Sequence, residues 1–178
     1  TLSMNCLSHK ILSLLFLALI SYHNLLAQEV DKDDEKIKKI KIIHADMIDY
    51  DEEKLGKDIK RLKGNTRFMH DSVLMDCDSA YFNSKANIIQ AFDNIHFNQG
   101  DTIHLYGDSL FYDGNIKLVN IRKNVRLTND SAILTTDSLD YDRIDNLAYY
   151  FNYGKIVDGE NTLESDRGYY YTDRKSVV

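Results

Sequence analysis

Five aspartates, Asp46, Asp78, Asp108, Asp137 and Asp166, return at spacings of 32, 30, 29 and 29 residues. Carboxylates repeated at so regular an interval can ligate cations, exchange protons, or accept hydrogen bonds from nearby amides. Calcium-binding β-rolls build their metal ladders from dense Gly and Asp in nonapeptide turns. This chain has only 8 glycines in 178 residues, so the pattern favours the third use, an aspartate placed at a bend. Ser79, Ser109 and Ser138 follow three of these aspartates. A nucleophilic serine needs one base and one orienting group, and repetition supplies neither uniquely. His44, His70, His96 and His104 share no column and pair with no repeated Cys or carboxylate, which points away from a metal centre. Cys77 takes a position filled elsewhere by small residues and reads as a buried apolar group. No position is chemically singular. The sequence therefore points to an extended surface or groove, with no catalytic residue, metal or cofactor.

Each aspartate sits within one short pattern: apolar, spacer, small, Asp, spacer, apolar or small, spacer, aromatic. The copies are Ile43-Ala45-Asp46-Ile48-Tyr50, Met75-Cys77-Asp78-Ala80-Phe82, Leu105-Gly107-Asp108-Leu110-Tyr112, Leu134-Thr136-Asp137-Leu139-Tyr141 and Leu163-Ser165-Asp166-Gly168-Tyr170. A period near 30 marks a repeat architecture whose units bury apolar faces against their neighbours. Within a copy, Leu134 and Thr136 share one parity while Leu139 and Tyr141 take the other. A strand alternates with period two, so each copy needs a bulge or sharp bend at its Asp. Stacked in register, those bends crease a sheet. Turn chemistry at Asn129-Asp130-Ser131 and again at residues 142–146 gives two strands per unit and favours an antiparallel meander. The sheet then folds like a V, with Asp, Ser, Asn and Lys outside. Its inner walls would be Ile43, Met75, Leu105, Leu134 and Leu163, then Ile48, Leu110 and Leu139, then Tyr50, Phe82, Tyr112, Tyr141 and Tyr170.

Residues 1–27 have the form of an export signal. Lys10 precedes a ten-residue apolar run at 11–20, and cleavage is expected after Ala27. That run is half of what a membrane-spanning helix requires. Residues 28–40 are a charged lead-in with no apolar face, and the repeat domain is expected over 41–178. Loss of Lys10 leaves 21 basic against 28 acidic residues, which disfavours nucleic acid and anionic membrane surfaces as partners. Cys77 would be the one remaining cysteine, so no intrachain disulfide can form. Proline is absent, as suits long ladder-forming strands. Residues 174–178 read as the opening of another return strand, so the chain is expected to be the N-terminal part of a longer repeat protein.

A second signature precedes most turns: Gly64-Asn65-Thr66-Arg67-Phe68, Asp93-Asn94-Ile95-His96-Phe97 and Lys123-Asn124-Val125-Arg126-Leu127, with a weaker copy at residues 153–157. The composite NVRLTNDSAILTTDSLDYD, residues 124–142, closely resembles the repeat of the OstA-like family of periplasmic lipopolysaccharide-transport proteins, which includes the N-terminal domain of the outer-membrane translocon. The resemblance runs from about Lys41 to Lys175. It implies a creased antiparallel β-jellyroll, a β-taco, that shelters lipid A acyl chains and stacks head-to-tail with its like. Partners would be lipopolysaccharide or a related glycolipid, and other β-taco proteins added by strand pairing at the sheet edge, a second copy included. Localisation would be periplasmic, in association with the outer membrane. The signature's Gly survives only at Gly64, and Thr66 replaces its apolar residue. The densest basic stretch, residues 54–63, lies away from the inner columns, so capture is expected to rest on acyl chains. Two other readings stay open: a structural β-roll or stalk with a filled core, and the periplasmic part of an outer-membrane β-barrel.

Overall fold

The computed structural model describes residues 38–174 and 176–178. The export signal expected at 1–27, and the lead-in expected at 28–40 apart from its last three residues, lie outside them. Two short strands, β1 (Lys41–His44) and β2 (Met47–Asp49), and a one-turn helix α1 (Glu52–Leu55) open the domain. Long strands follow: β3 (Ile59–His70), β4 (Val73–Asn83), β5 (Ile88–Gln99), β6 (Ile103–Asp113), β7 (Leu118–Asn129), β8 (Ala132–Asp142), β9 (Leu147–Asp158) and β10 (Asn161–Tyr171). A short β11 (Ser176–Val177) comes last. All belong to one 11-stranded antiparallel sheet in which consecutive strands pair from β3 to β11, and both β1 and β2 pair with β3. The fold is the expected creased β-jellyroll of two-stranded repeats.

The crease arises from a difference of one residue. Strands β3, β5, β7 and β9 have 12 residues and their partners β4, β6, β8 and β10 have 11. The additional residue sits mid-strand, where two consecutive residues take positive φ: Gly64-Asn65, Asp93-Asn94, Lys123-Asn124 and Asn152-Tyr153. Two left-handed residues in a row cannot continue a pleat. Opposite them the 11-residue strands change parity at the motif Asp. In β6, Ile103, Leu105 and Gly107 point inward, and then Leu110 and Tyr112 do. Ladder register shifts at every such crossing. The bend expected at each Asp is present, but its extra residue lies on the neighbouring strand, within the second signature.

Each long strand thus contributes one half to each of two layers. The first layer comprises residues 66–70, 73–77, 95–99, 103–107, 125–129, 132–136, 154–158 and 161–165. The second comprises 59–63, 79–83, 88–92, 109–113, 118–122, 138–142, 147–151 and 167–171. The layers fold over a dry interior of Phe68, Met75, Ile89, Phe97, Leu105, Ile121, Leu127, Leu139 and their neighbours, all buried. They meet out of step. His70 bonds Tyr112 and Asn129 bonds Tyr170, so a first-layer strand end meets the second-layer end about three strands onward. The first strands of the second layer and the last strands of the first layer therefore have no described layer above them. The burial record of β10 shows this: its first-layer half is mostly exposed, while Gly168 and Tyr170 in its second-layer half are buried.

The exterior is less polar than the pattern suggested. Outward rows stack aromatic rings across strands: Tyr149 on Tyr169 at 4.8 Å, and Tyr106 between His96 at 4.6 Å and the Arg126 guanidinium at 4.4 Å. Arg122 lies over Phe151. Such cross-strand pairs reinforce the ladder.

Candidate functional site

The crease is held on its outer side by the repeated aspartates. Asn65 Nδ2 donates to Asp46 at 2.9 Å, Asn94 Nδ2 to Asp78 at 2.7 Å, and Asn124 Nδ2 to Asp108 at 2.6 Å. Each clasp joins the left-handed pair of one strand to the parity change of the strand before it. The asparagine column was visible in the second signature, where it served only as a mark of resemblance. At the next crossing Tyr153 replaces the asparagine facing Asp137, and the Thr136 hydroxyl donates instead to the Tyr153 carbonyl at 2.7 Å. Among the described residues no group of His, Cys, Asp or Glu is arranged to hold a metal ion.

Inside, the expected columns divide. Met75, Leu105, Leu134, Leu110, Leu139, Phe82, Tyr112, Tyr141 and Tyr170 are all buried facing the interior, none more than 5% exposed. Ile43 is not in its expected column. The β1–β3 register shifts between Ile42 and His44, so Ile42 takes the place opposite Phe68 and packs against the core, leaving Ile43 50% exposed. Ile48 pairs with the buried Leu62 and Leu163 with the buried Ile156. Both therefore face the inner side, yet they are 51% and 45% exposed because no opposing layer among the described residues covers them. Tyr50 is also 51% exposed, and its hydroxyl donates to Glu52. Asp78, Asp108, Asp137 and Asp166 lie where the ladder register shifts, and Asp46 lies between β1 and β2.

The middle of the interior is filled by side chains. At Gly107 an added Cβ would fall 2.7 Å from Ile121, so the absence of a side chain there lets Ile121 pack against the backbone. Near the last strands the Tyr150 ring lies flat across Gly154 and Gly168, where a Cβ on either would collide with it, and its hydroxyl meets the Ser165 hydroxyl at 2.6 Å. Thr66, in an otherwise apolar column, is fully buried and its hydroxyl finds no partner. Burial pushes the Cys77 thiol up to about 12, so it is protonated and inert.

Opposite the crease, where the turns of the two layers meet, runs a seam that the sequence did not reveal. The last residues of β3, β5 and β7 are His70, Gln99 and Asn129, and the aromatic column supplies Tyr112, Tyr141 and Tyr170. His70 Nε2–H donates to the Lys38 carbonyl at 3.0 Å, which leaves Nδ1 to accept from the Tyr112 hydroxyl at 2.6 Å. Arg143 donates to the Tyr112 oxygen at 2.5 Å and to Gln99 at 2.9 Å. Asn129 donates to the Tyr170 hydroxyl at 3.2 Å and to the Thr172 carbonyl at 2.7 Å. Lys117 pairs across the seam with Asp71 at 3.2 Å. Burial lowers the His70 pKa and raises that of Tyr112 to about 12, so both groups are neutral. The seam could be anticipated only from the 29- and 30-residue spacing of three dissimilar polar residues. Their types differ too much to read as a column.

The sequence matches the family described as OstA-like protein over residues 37–178. No curated protein matches it significantly. Among solved structures, the fold resembles the crystal structure of LptH from Pseudomonas aeruginosa, described as the LptA-homologous periplasmic component of the conserved lipopolysaccharide transport device. The TM-score is 0.51 at 13% identity, covering 59% of this chain and 76% of that one. At that identity the likeness concerns the fold.

Proposed function

The chain belongs to the OstA-like protein family, and on that premise we propose that it binds the acyl chains of lipopolysaccharide or a related glycolipid and passes them along its creased interior. The observation that carries this reading is the dry apolar column between the two layers, which runs through Met75, Leu105 and Leu134 and, among the described residues, is continuous with half-exposed inner-facing side chains at Ile48 and Leu163. Burying a methylene is worth about 0.8 kcal/mol, so a dozen-carbon chain laid along such a face gains on the order of 10 kcal/mol. Farther in, an acyl chain has to part the layers. The seam is spanned by a few side-chain hydrogen bonds worth about 1 kcal/mol each, so it can open locally while every ladder stays paired. The lipid would advance by wedging the V.

Residues 1–27 would direct export to the periplasm and be removed. A like protein, or a second copy, would pair strands at the sheet edge and continue both the sheet and the interior head-to-tail. The filled middle favours a second reading, a spacer whose core never opens. Photo-crosslinkers decide between them. Placed at Ile48 and Leu163 they should capture lipopolysaccharide in cells, and at outward Gln90 and Thr135, exposed in the middle of their layers, they should not. Equal labelling from both faces, or none from the inner one, would refute lipid carriage and leave the spacer.

A further inference from the structure

We infer that the start of the seam is a recognition site for an anionic, phosphate-type head group, positioned so that a lipid's chain lies between the layers while its charge rests on lysines outside. The inference rests on the acyl-binding reading above and specifies where that cargo's head group sits. Although the whole chain carries a formal charge of −6, three cations converge at this one place. Lys38 and Lys117 approach the two oxygens of Asp71 at 3.2 Å each. Arg143 comes from the turn after β8 and has neutral oxygens as partners, those of Tyr112 and Gln99. Two positive charges thus flank one carboxylate, and Arg143 adds a third beside them, its backbone N–H donating to the Lys117 carbonyl at 3.2 Å. A cleft of about 530 Å³ opens on the Lys38 side of Asp71, lined by Lys38, Lys39, Lys41, Met69, Asp71 and Ser72, which brings in two further lysines.

The placement matters as much as the charge. His70 links the cluster to the interior: one ring nitrogen bonds the Lys38 carbonyl and the other bonds Tyr112, which packs edge-on against Phe97. A chain entering at this point would put its head group among ammonium and guanidinium donors. A phosphate would accept charge-assisted bonds from the remaining donors of the same lysines, and Asp71 holds those lysines in position while competing for them. Arg143 offers a planar fork suited to the same oxygens.

The test compares three probes by displacement of a fluorescent apolar dye: dodecyl phosphate, dodecyl maltoside, and inorganic phosphate alone. The preference for dodecyl phosphate over dodecyl maltoside should fall about tenfold in the Lys38→Gln/Lys117→Gln double variant. It should be unchanged in Lys57→Gln/Lys63→Gln, which removes the same charge elsewhere. Asp71→Asn should move the preference the other way, which loss of folding would not do. An equal preference in all variants would overturn the head-group site and leave acyl binding standing. Dye displacement by neither detergent would overturn both readings. Competition by inorganic phosphate as effective as by dodecyl phosphate would reveal a surface anion site uncoupled from the interior, which also overturns the proposal.

Discussion

Leu134 and Leu163 occupy the same position of the repeat, and substituting each with Asp separates the packed interior from the open end. Leu134 is 1% exposed and packs where both layers are present. Leu134→Asp removes about 2–3 kcal/mol of side-chain burial and places a carboxylate in a dry interior, at a further cost of several kcal/mol. Together these approach the whole stability of a domain this size, about 5–15 kcal/mol. The variant should be unfolded or nearly so. Leu163 faces the same inner side but is 45% exposed, and its partner across the ladder is Ile156. A carboxylate there stays hydrated, so Leu163→Asp should cost only about 1 kcal/mol. Circular dichroism melts give the stability difference, and dye displacement by lipopolysaccharide gives capture. Leu163→Asp should fold and lose capture. Normal capture by the folded Leu163→Asp protein would remove the open end from the lipid path. A Leu134→Asp protein with a nearly unchanged melt would show that the middle is not packed as described.

Breaking a crease clasp with Asn94→Ala or Asn124→Ala should cost about 1–2 kcal/mol in urea denaturation, whereas Asp137→Ala should cost less than Asp108→Ala because Asp137 faces Tyr153. The Thr66 hydroxyl is buried without a partner, so Thr66→Val should raise stability by about 1 kcal/mol, read as a higher denaturation midpoint. His70 has its folded pKa lowered by burial. Its contribution is therefore complete above the unfolded value near 6.5 and is lost as pH falls below it toward the folded value. The denaturation midpoint should decline between about pH 7 and 5, and His70→Gln should flatten that decline, leaving the part due to His96, which is shifted the same way.

What was legible in the sequence is what repeats in residue type. The Asp column and the change of parity beside it predicted a crease, because period-two alternation cannot survive an odd step. The apolar columns predicted two inner walls, and Met75, Leu105 and Leu134 stand in one of them. Legibility ended where position repeats but chemistry does not. His70, Gln99 and Asn129 share a place in three units, yet a histidine, an amide and a shorter amide do not form a pattern by type. The cations Lys38, Lys117 and Arg143 come from the segment before β1 and from two separate turns, and only the folding of one layer over the other brings them together. Ile43 was assigned to a column because the first copy of the motif looked regular, but a register slip that no residue type announces gives its place to Ile42.

The displacement between layers also gives direction to a repeat protein whose units are nearly alike. If first-layer and second-layer halves closed directly over one another, both ends of the V would present the same cross-section. Because His70 reaches Tyr112, and Asn129 reaches Tyr170, closure is skewed by about three strands. Among the described residues this leaves second-layer Ile48 and first-layer Leu163 half-exposed. Under the proposed head-to-tail stacking, such surfaces would complement each other and not themselves, giving heterologous contacts that extend in a line, where a self-complementary patch would stop at a dimer. In the proposed carriage, a lipid moving from the early strands toward the late ones would meet the cationic seam before the Tyr150 ring, and one moving the other way would meet them in reverse order.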